Sequence, residues 1–229
     1  MKQLVVERNN PVPVIWDTPI PQPGPNEVLI KNYYSVVSSG TELASIESAN
    51  KTVTDKLQDS SNISKGLDLL KKEGLGAVIE AVFPKNVLPL QLGYSSCGEV
   101  IQAGKNVKDF HVGDKVIATG YKIGMKIFGG FGELVQIPAE WVVSLPENLS
   151  LKHAMSYGTA GLTAGACIKK MIDANIPKDM PIIDSGSTGG VGSVAVNLLS
   201  KLNYEVHAIT GKPEEKNMLM DLGASEIIH

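Results

Sequence analysis

Cysteine is nearly missing from this chain: Cys97 and Cys167 are the only two, too few and too far apart for a disulfide framework. The small stapled secreted class is thereby excluded, and a reducing cytoplasm is the expected compartment. An excess of one charge is missing as well. The 21 Lys and Arg stand against 24 Asp and Glu, a formal net charge of -3, and the basic residues are dispersed, so nothing marks a nucleic-acid partner. No apolar run reaches the length of a membrane-spanning helix. The opening MKQLVVERNN sets charges beside its apolar residues and reads as a strand, not as a signal peptide. Internal repeats and low-complexity segments are absent too. What remains, 43% hydrophobic and 20% charged over 229 residues, is ordinary globular composition, enough for one large or two small domains.

The informative stretch is residues 181–210, PIIDSGSTGGVGSVAVNLLSKLNYEVHAIT. It reads as an apolar strand, a glycine-rich turn, an amphipathic helix and a second strand, the beginning of a dinucleotide-binding βαβ unit. Gly186, Gly189 and Gly192 keep a GxxGxxG spacing with Gly190 added, and Ser187, Thr188 and Val191 fill the turn. Such a turn brings backbone N–H groups against a pyrophosphate at the helix N-terminus. Val191, Val194, Ala195, Leu198, Leu199 and Leu202 form the expected apolar face of the helix. The second strand ends in Thr210, Gly211 and Lys212, with no acid before Glu214. An acid there would accept from a ribose 2′-hydroxyl and repel a 2′-phosphate, so a hydroxyl, a free N–H and an ammonium favour NADP(H). An ordinary solvated lysine ahead of a helix starting at Pro213 is the other reading of Lys212. Asp184 interrupts the first strand, and an unpaired buried carboxylate is costly. Either it lies at the strand's edge near the coenzyme or it impairs the site.

The remainder divides in two. QLVVER, VPVIWDT and VLIKNYYSVV read as strands, followed by a helical insert over about residues 45–84 with Gly74 as a break. LGYSSCGEVIQAG, DKVIATG, FGELVQIP and WVVSLP then read as short strands with glycine turns, the pattern of a small, partly open barrel. A long helix follows from Ser150, a plausible N-cap. Residues 1–150 are therefore expected to form one domain and residues 151–229 a second, α/β in class overall.

Several spaced motifs in order make the chain similar to the medium-chain dehydrogenase/reductase superfamily. From about Thr119 onward, TGYKIGMKIFGGFGELVQIPAEWVVSLPENLSLKHAMSYGTAGLTAG, STGGVG, AITGK and LGASEII resemble the zinc-independent acrylyl-CoA reductase and quinone-oxidoreductase-like proteins. Before it, YYSVVSSGTELASIESA and LPLQLGYSSCGEVIQAGKNVKDFHVGDKVIATG resemble the dehydrogenase module of bi-domain oxidoreductases. The resemblance implies a GroES-like, partly open β-barrel followed by an incomplete Rossmann-type parallel sheet, since His229 would end the third strand of a sheet that normally has six. It also places Thr159 and Thr163 near a nicotinamide.

Zinc-dependent relatives carry Cys where Ser39 stands and a His-Glu pair at Tyr94 and Ser95, so no metal is expected. Cys97, His111, His153 and Glu42 stay as isolated ligand types. Quinone-reductase relatives carry Asn-Tyr at Ser38 and Ser39. Tyr94 can donate to a developing oxyanion, and Ser39 can hydrogen-bond a substrate carbonyl, which makes these two the catalytic candidates. The implied activity is NADPH-dependent, zinc-independent hydride transfer to an activated alkene (an enoyl or acrylyl thioester, or a quinone) or to a carbonyl. The expected partner is a small-molecule substrate, with no nucleic acid and no membrane, and a homodimer stays open. The alternative is a non-catalytic or incomplete nucleotide-binding fragment that needs a missing C-terminal part or a partner chain.

Overall fold

In a computed structural model the chain is described over residues 1–7, 10, 12–50, 89–121, 123, 124 and 129–229. Two antiparallel sheets make up the first half. Strands β1 (Lys2–Val6), β2 (Val14–Asp17) and β4 (Leu90–Gln91) pair in the order β2-β1-β4. Strands β3 (Glu27–Ser35), β5 (Ser95–Ala103), β6 (Lys115–Thr119), β7 (Leu134–Pro138) and β8 (Val142–Ser144) pair in the order β7-β3-β5-β6-β8. Every pairing in both sheets is antiparallel.

Alternation decides the packing here. On β7, Val135 and Ile137 point inward while the residues between them stay partly open, and they meet Val28, Ile30, Val100, Val116 and Phe110 in one apolar cluster. A bridge between Gln3 and Gly132 and the Leu4 amide donating to the Phe131 carbonyl at 2.8 Å stitch the two sheets together. The result is the expected curled, partly open barrel.

Helix α1 (Ser39–Asn50) starts earlier than the sequence pattern indicates, because the Ser38 carbonyl already accepts the Glu42 amide at 2.8 Å. The expected helical insert falls almost wholly on residues 51–88 and so lies outside the described residues.

Helix α2 (Leu151–Asp173) carries the chain across to the second half. Ser150 caps it as expected, its hydroxyl accepting the His153 amide at 3.2 Å. The helix is not continuous, however. Gly158 stands at φ 50°, ψ −151°, a conformation essentially reserved for glycine, and splits it into two segments. The helix packs on β3, β5 and β6 and also on α3 (Gly190–Lys201). A three-stranded parallel sheet follows, β11-β10-β9, formed by β9 (Ile182–Ser185), β10 (Val206–Ile209) and β11 (Glu226–Ile228). Helix α4 (Lys216–Asp221) follows a short 3-10 turn at Pro213–Glu215.

The apolar face of α3 differs from the sequence reading. Gly192, Ala195, Val196 and Leu199 are the buried positions, while Val191 and Leu202 are 40% and 37% exposed. Gly192 is wedged against the Gly186 carbonyl and the Ser187 backbone, so the turn sets the rotation of the helix. Val196 thereby enters the core with Ala164, Ile168, Val206, Ala208 and Leu219.

Candidate functional site

A cleft of about 1170 Å³ lies between the halves, just above the upper end of the roughly 300–1,000 Å³ of small-molecule and cofactor pockets. One wall is the loop after β3 and the start of α1, with Ser38, Ser39 and Thr41, joined by Tyr94 and Ser95 from the β4–β5 corner. The other is the glycine turn, with Thr188, Gly189, Gly190 and Ser193, and Lys212 at one end. Tyr157, Thr159 and Ala160 of α2 form the floor where the walls meet.

The first wall is fixed from behind. Glu42, 7% exposed, accepts the Gly93 amide on Oε1 at 3.1 Å. The Gly93 carbonyl accepts the Gly130 amide at 2.6 Å, so both faces of the peptide corner that carries Tyr94 are held. Burial pushes the Glu42 carboxyl above its ordinary range, against the pull of the Gly93 bond. Glu42 is thus a buried anchor of α1 rather than a surface charge or a ligand.

The floor is fixed by hydroxyls. Ser95 Oγ accepts the Thr159 amide at 3.0 Å and shares hydrogen bonds with the hydroxyls of Thr119 at 3.0 Å and Thr159 at 2.6 Å, while Thr119 and Thr159 also bond each other. The break at Gly158 makes this possible, because it presents the Thr159 amide at the start of a new helical segment.

On the second wall, Gly189 caps α3 without any side-chain hydrogen bond, so among the described residues no side chain caps its first-turn amides. Uncapped amides at a helix N-terminus suit an anion, and Lys212 adds a positive charge nearby. Gly192 lies under the turn, where a β-carbon would come within 2.6 Å of the Gly186 carbonyl oxygen. The donor set, the size of the cleft and the bare turn fit a dinucleotide diphosphate.

Ser39, Tyr94, Thr159, Thr188, Gly189, Gly190 and Lys212 are therefore brought to one cleft. Gly186, at φ 73°, turns the chain, and the fully buried Ser187 donates its hydroxyl to the Asp184 carbonyl at 2.9 Å. Two expected contacts are turned away. Thr210 is 4% exposed and its hydroxyl accepts the Lys212 amide at 3.1 Å, so it shapes the turn instead of facing a ligand. Thr163 spends its hydroxyl on the Thr159 carbonyl at 2.8 Å, the bond that a helical threonine makes to the preceding turn.

The sequence reading missed Ser95, Thr41 and Tyr157 as cleft residues. The only signal for Ser95 was its place beside Tyr94. Cys97 is buried against the Leu151 carbonyl, with its thiol pushed up to about 11 mainly by burial, and His111 and His153 are exposed elsewhere. Among the described residues no group of three His, Cys, Asp or Glu side chains is placed to hold a metal, and no helix is long and apolar enough to cross a membrane.

The alcohol dehydrogenase GroES-like domain family matches residues 65–147. The yhdH oxidoreductase of Salmonella enterica, crystallised in complex with NADP, superposes on 100% of this chain and 60% of its own, with a TM-score of 0.77 and 27% identity. The chain is similar to proteins of the medium-chain dehydrogenase/reductase superfamily. Within it, YhfP of Bacillus subtilis, a quinone oxidoreductase by its name, is 44% identical over 141 residues, 61% of this chain and 42% of YhfP. Its crystal structure, with NAD bound, matches 99% of this chain and 59% of that one at a TM-score of 0.69 and 32% identity. The acrylyl-CoA reductase AcuI of Ruegeria pomeroyi is 43% identical over 117 residues, 51% of this chain and 36% of AcuI. The chain thus spans less than two-thirds of the length of each of these medium-chain relatives, and it has their GroES-like barrel and the first strands of their Rossmann-type sheet.

Proposed function

We propose that this chain is part of an NADPH-dependent, zinc-independent reductase, with residues 1–150 as the substrate half and residues 151–229 as the coenzyme half. The supporting observation is the cleft itself, in which uncapped first-turn amides and Lys212 face Tyr94 and the start of α1. NADP(H), when bound, supplies the hydride. The amides at Gly190 and Val191 hold the diphosphate, while the Gly211 amide and the Lys212 ammonium meet the 2′-phosphate. Thr188 stands beside the turn, and Thr159, braced by Ser95, forms the floor under the nicotinamide.

Tyr94 donates its hydroxyl to the oxygen on which negative charge develops as the substrate is reduced, and Ser39 offers a second hydroxyl to the same carbonyl. Both serve an enoyl or acrylyl thioester, a quinone or a simple carbonyl, and AcuI's name supports the first of these. The relatives' names include both NAD and NADP complexes, so the choice of NADP(H) rests on Lys212 and on the missing acid after β10. In a fluorescence titration NADPH is expected to bind more tightly than NADH, and Lys212→Ala to narrow the difference. Equal affinity of the unmodified chain for the two coenzymes would overturn the NADP assignment.

Asp184 favours a second reading, nucleotide binding without turnover, because an anion beneath a diphosphate weakens the site. Oxidation of NADPH in the presence of an acrylyl thioester or a quinone, reduced by Tyr94→Phe, distinguishes the first reading from the second.

A further inference from the structure

Asp184 lies on β9, two residues before the glycine turn of the proposed coenzyme site, and nothing in the reduction uses it. Strand β9 pairs Asp184 with Ala208, which is completely buried, on the face of the sheet that packs under α3. Asp184 Oδ2 is shielded from solvent and has no hydrogen-bond partner. The Ser187 hydroxyl, the nearest donor, goes to the backbone oxygen of Asp184 instead. Directly above lies Gly192, where a β-carbon would sit 3.0 Å from Oδ2 and 2.6 Å from the Gly186 carbonyl oxygen. Two oxygens thus crowd one point beneath the first turn of α3. The Gly186 carbonyl already accepts the Gly189 amide at 2.8 Å and keeps a second lone pair.

A charged carboxylate is poorly served on its Oδ2 side, since that oxygen is shielded from water and has no hydrogen-bond donor. A proton on Oδ2 cancels the charge and gives that oxygen a hydrogen to donate. Burial already pushes the Asp184 carboxyl above its ordinary range, with only Ser187 pulling it down and no cation or second carboxylate among the causes. The apolar cluster on this face of the sheet takes Ala164 and Ile168 from α2, Ala195 and Val196 from α3 and Ala208 from β10, with Tyr204 as its one ionisable member. His207, with Glu205 at 3.0 Å and Glu226 at 3.3 Å, belongs to the other face, as its pairing with Ile183 shows. Lys212 lies out on the cleft wall.

We propose that coenzyme binding to this chain is coupled to the uptake of one proton from solvent by Asp184, whose neutral carboxyl completes the floor of the diphosphate site. The inference rests on the coenzyme reading above. The incoming diphosphate adds negative charge over the same turn, and the acid answers by becoming neutral. The coupling has a fixed sign: the complex holds one more proton than the free chain, so affinity is highest in acid and declines as pH rises.

Calorimetric titration of the 229-residue chain with oxidised coenzymes, which survive acid, tests this across a series of buffers from acid to alkaline. NAD⁺ is used beside NADP⁺ because a 2′-phosphate itself titrates near pH ~6. Affinity for both is expected to fall with rising pH, by up to about tenfold per pH unit for one coupled proton. Asp184→Asn is expected to remove the dependence for NAD⁺ and to bind at least as tightly as the unmodified chain does in acid. Repeating the unmodified titration in buffers of different ionisation enthalpy counts the protons without any variant, and a count near one supports the coupling. A pH-independent affinity with a proton count of zero overturns the coupling and leaves the coenzyme reading standing. Loss of binding in a folded Asp184→Asn also overturns it, and failure of the unmodified chain to bind either coenzyme at any pH removes both.

Discussion

Glu42 and Asp184 show what burial does to a single carboxyl. Each is held above its ordinary range, so each favours the folded chain when protonated and opposes it when charged. For such a group the stabilising contribution is complete below the unfolded value and is lost as pH rises through the folded one. Glu42→Gln keeps an oxygen for the Gly93 amide and cannot ionise. It is expected to melt at a higher temperature than the unmodified chain at neutral pH, with the gap closing near pH ~4, where the glutamate itself is protonated. Glu42→Ala leaves that buried amide unpaired and is expected to cost about 1–3 kcal/mol in denaturant unfolding. The glycines of the turn are unequal in the same local way. A β-carbon at Gly192 meets backbone at 2.6 and 2.7 Å, whereas at Gly190 the nearest atom is the Ala160 β-carbon at 3.4 Å. Gly192→Ala is expected to abolish coenzyme binding in a titration, and Gly190→Ala to leave it within a few-fold.

Among the elements, α2 matters most, since it is packed on both halves and broken between them. Its break depends on a conformation that side chains avoid, and a β-carbon at Gly158 would also strike Val36 Cγ1 at 2.6 Å. Gly158→Ala is expected to lower unfolding free energy by about 1–3 kcal/mol and to move Thr159 off Ser95, weakening coenzyme binding in the same preparation. The sequence showed the strand, turn, helix and strand of the second half, because their signals are local: glycine spacing, a helical period and short apolar runs. It did not show the break in α2, since a glycine within a helical pattern looks the same whether φ is negative or positive. The rotation of α3 was hidden too. Val191 fits the apolar period as well as Val196 does, and only the contact of Gly192 with the turn decides between them. The burial of Glu42 depends on Gly93, remote in sequence, and no local pattern carries that.

The whole molecule places a barrel wall and a nucleotide-type turn on opposite sides of one cleft, joined by the broken helix. Neither half alone makes the site: Ser95 comes from the start of β5 and Tyr94 from the corner before it, Gly189 and Gly190 from the start of α3, and Thr159 from the helix between. The resemblance to the superfamily was legible from the order of its motifs, whereas the contact of Ser95 with Thr159 appears only once the halves are folded together. The central claim is that the bare first turn of α3 receives the diphosphate of a nicotinamide coenzyme. Its most direct test is a crystal structure of the chain grown or soaked with NADPH. The account predicts the diphosphate within hydrogen-bonding distance of the Gly190 and Val191 amides, and the 2′-phosphate beside Lys212. A coenzyme bound anywhere else, or a turn left empty at saturating NADPH, would contradict it.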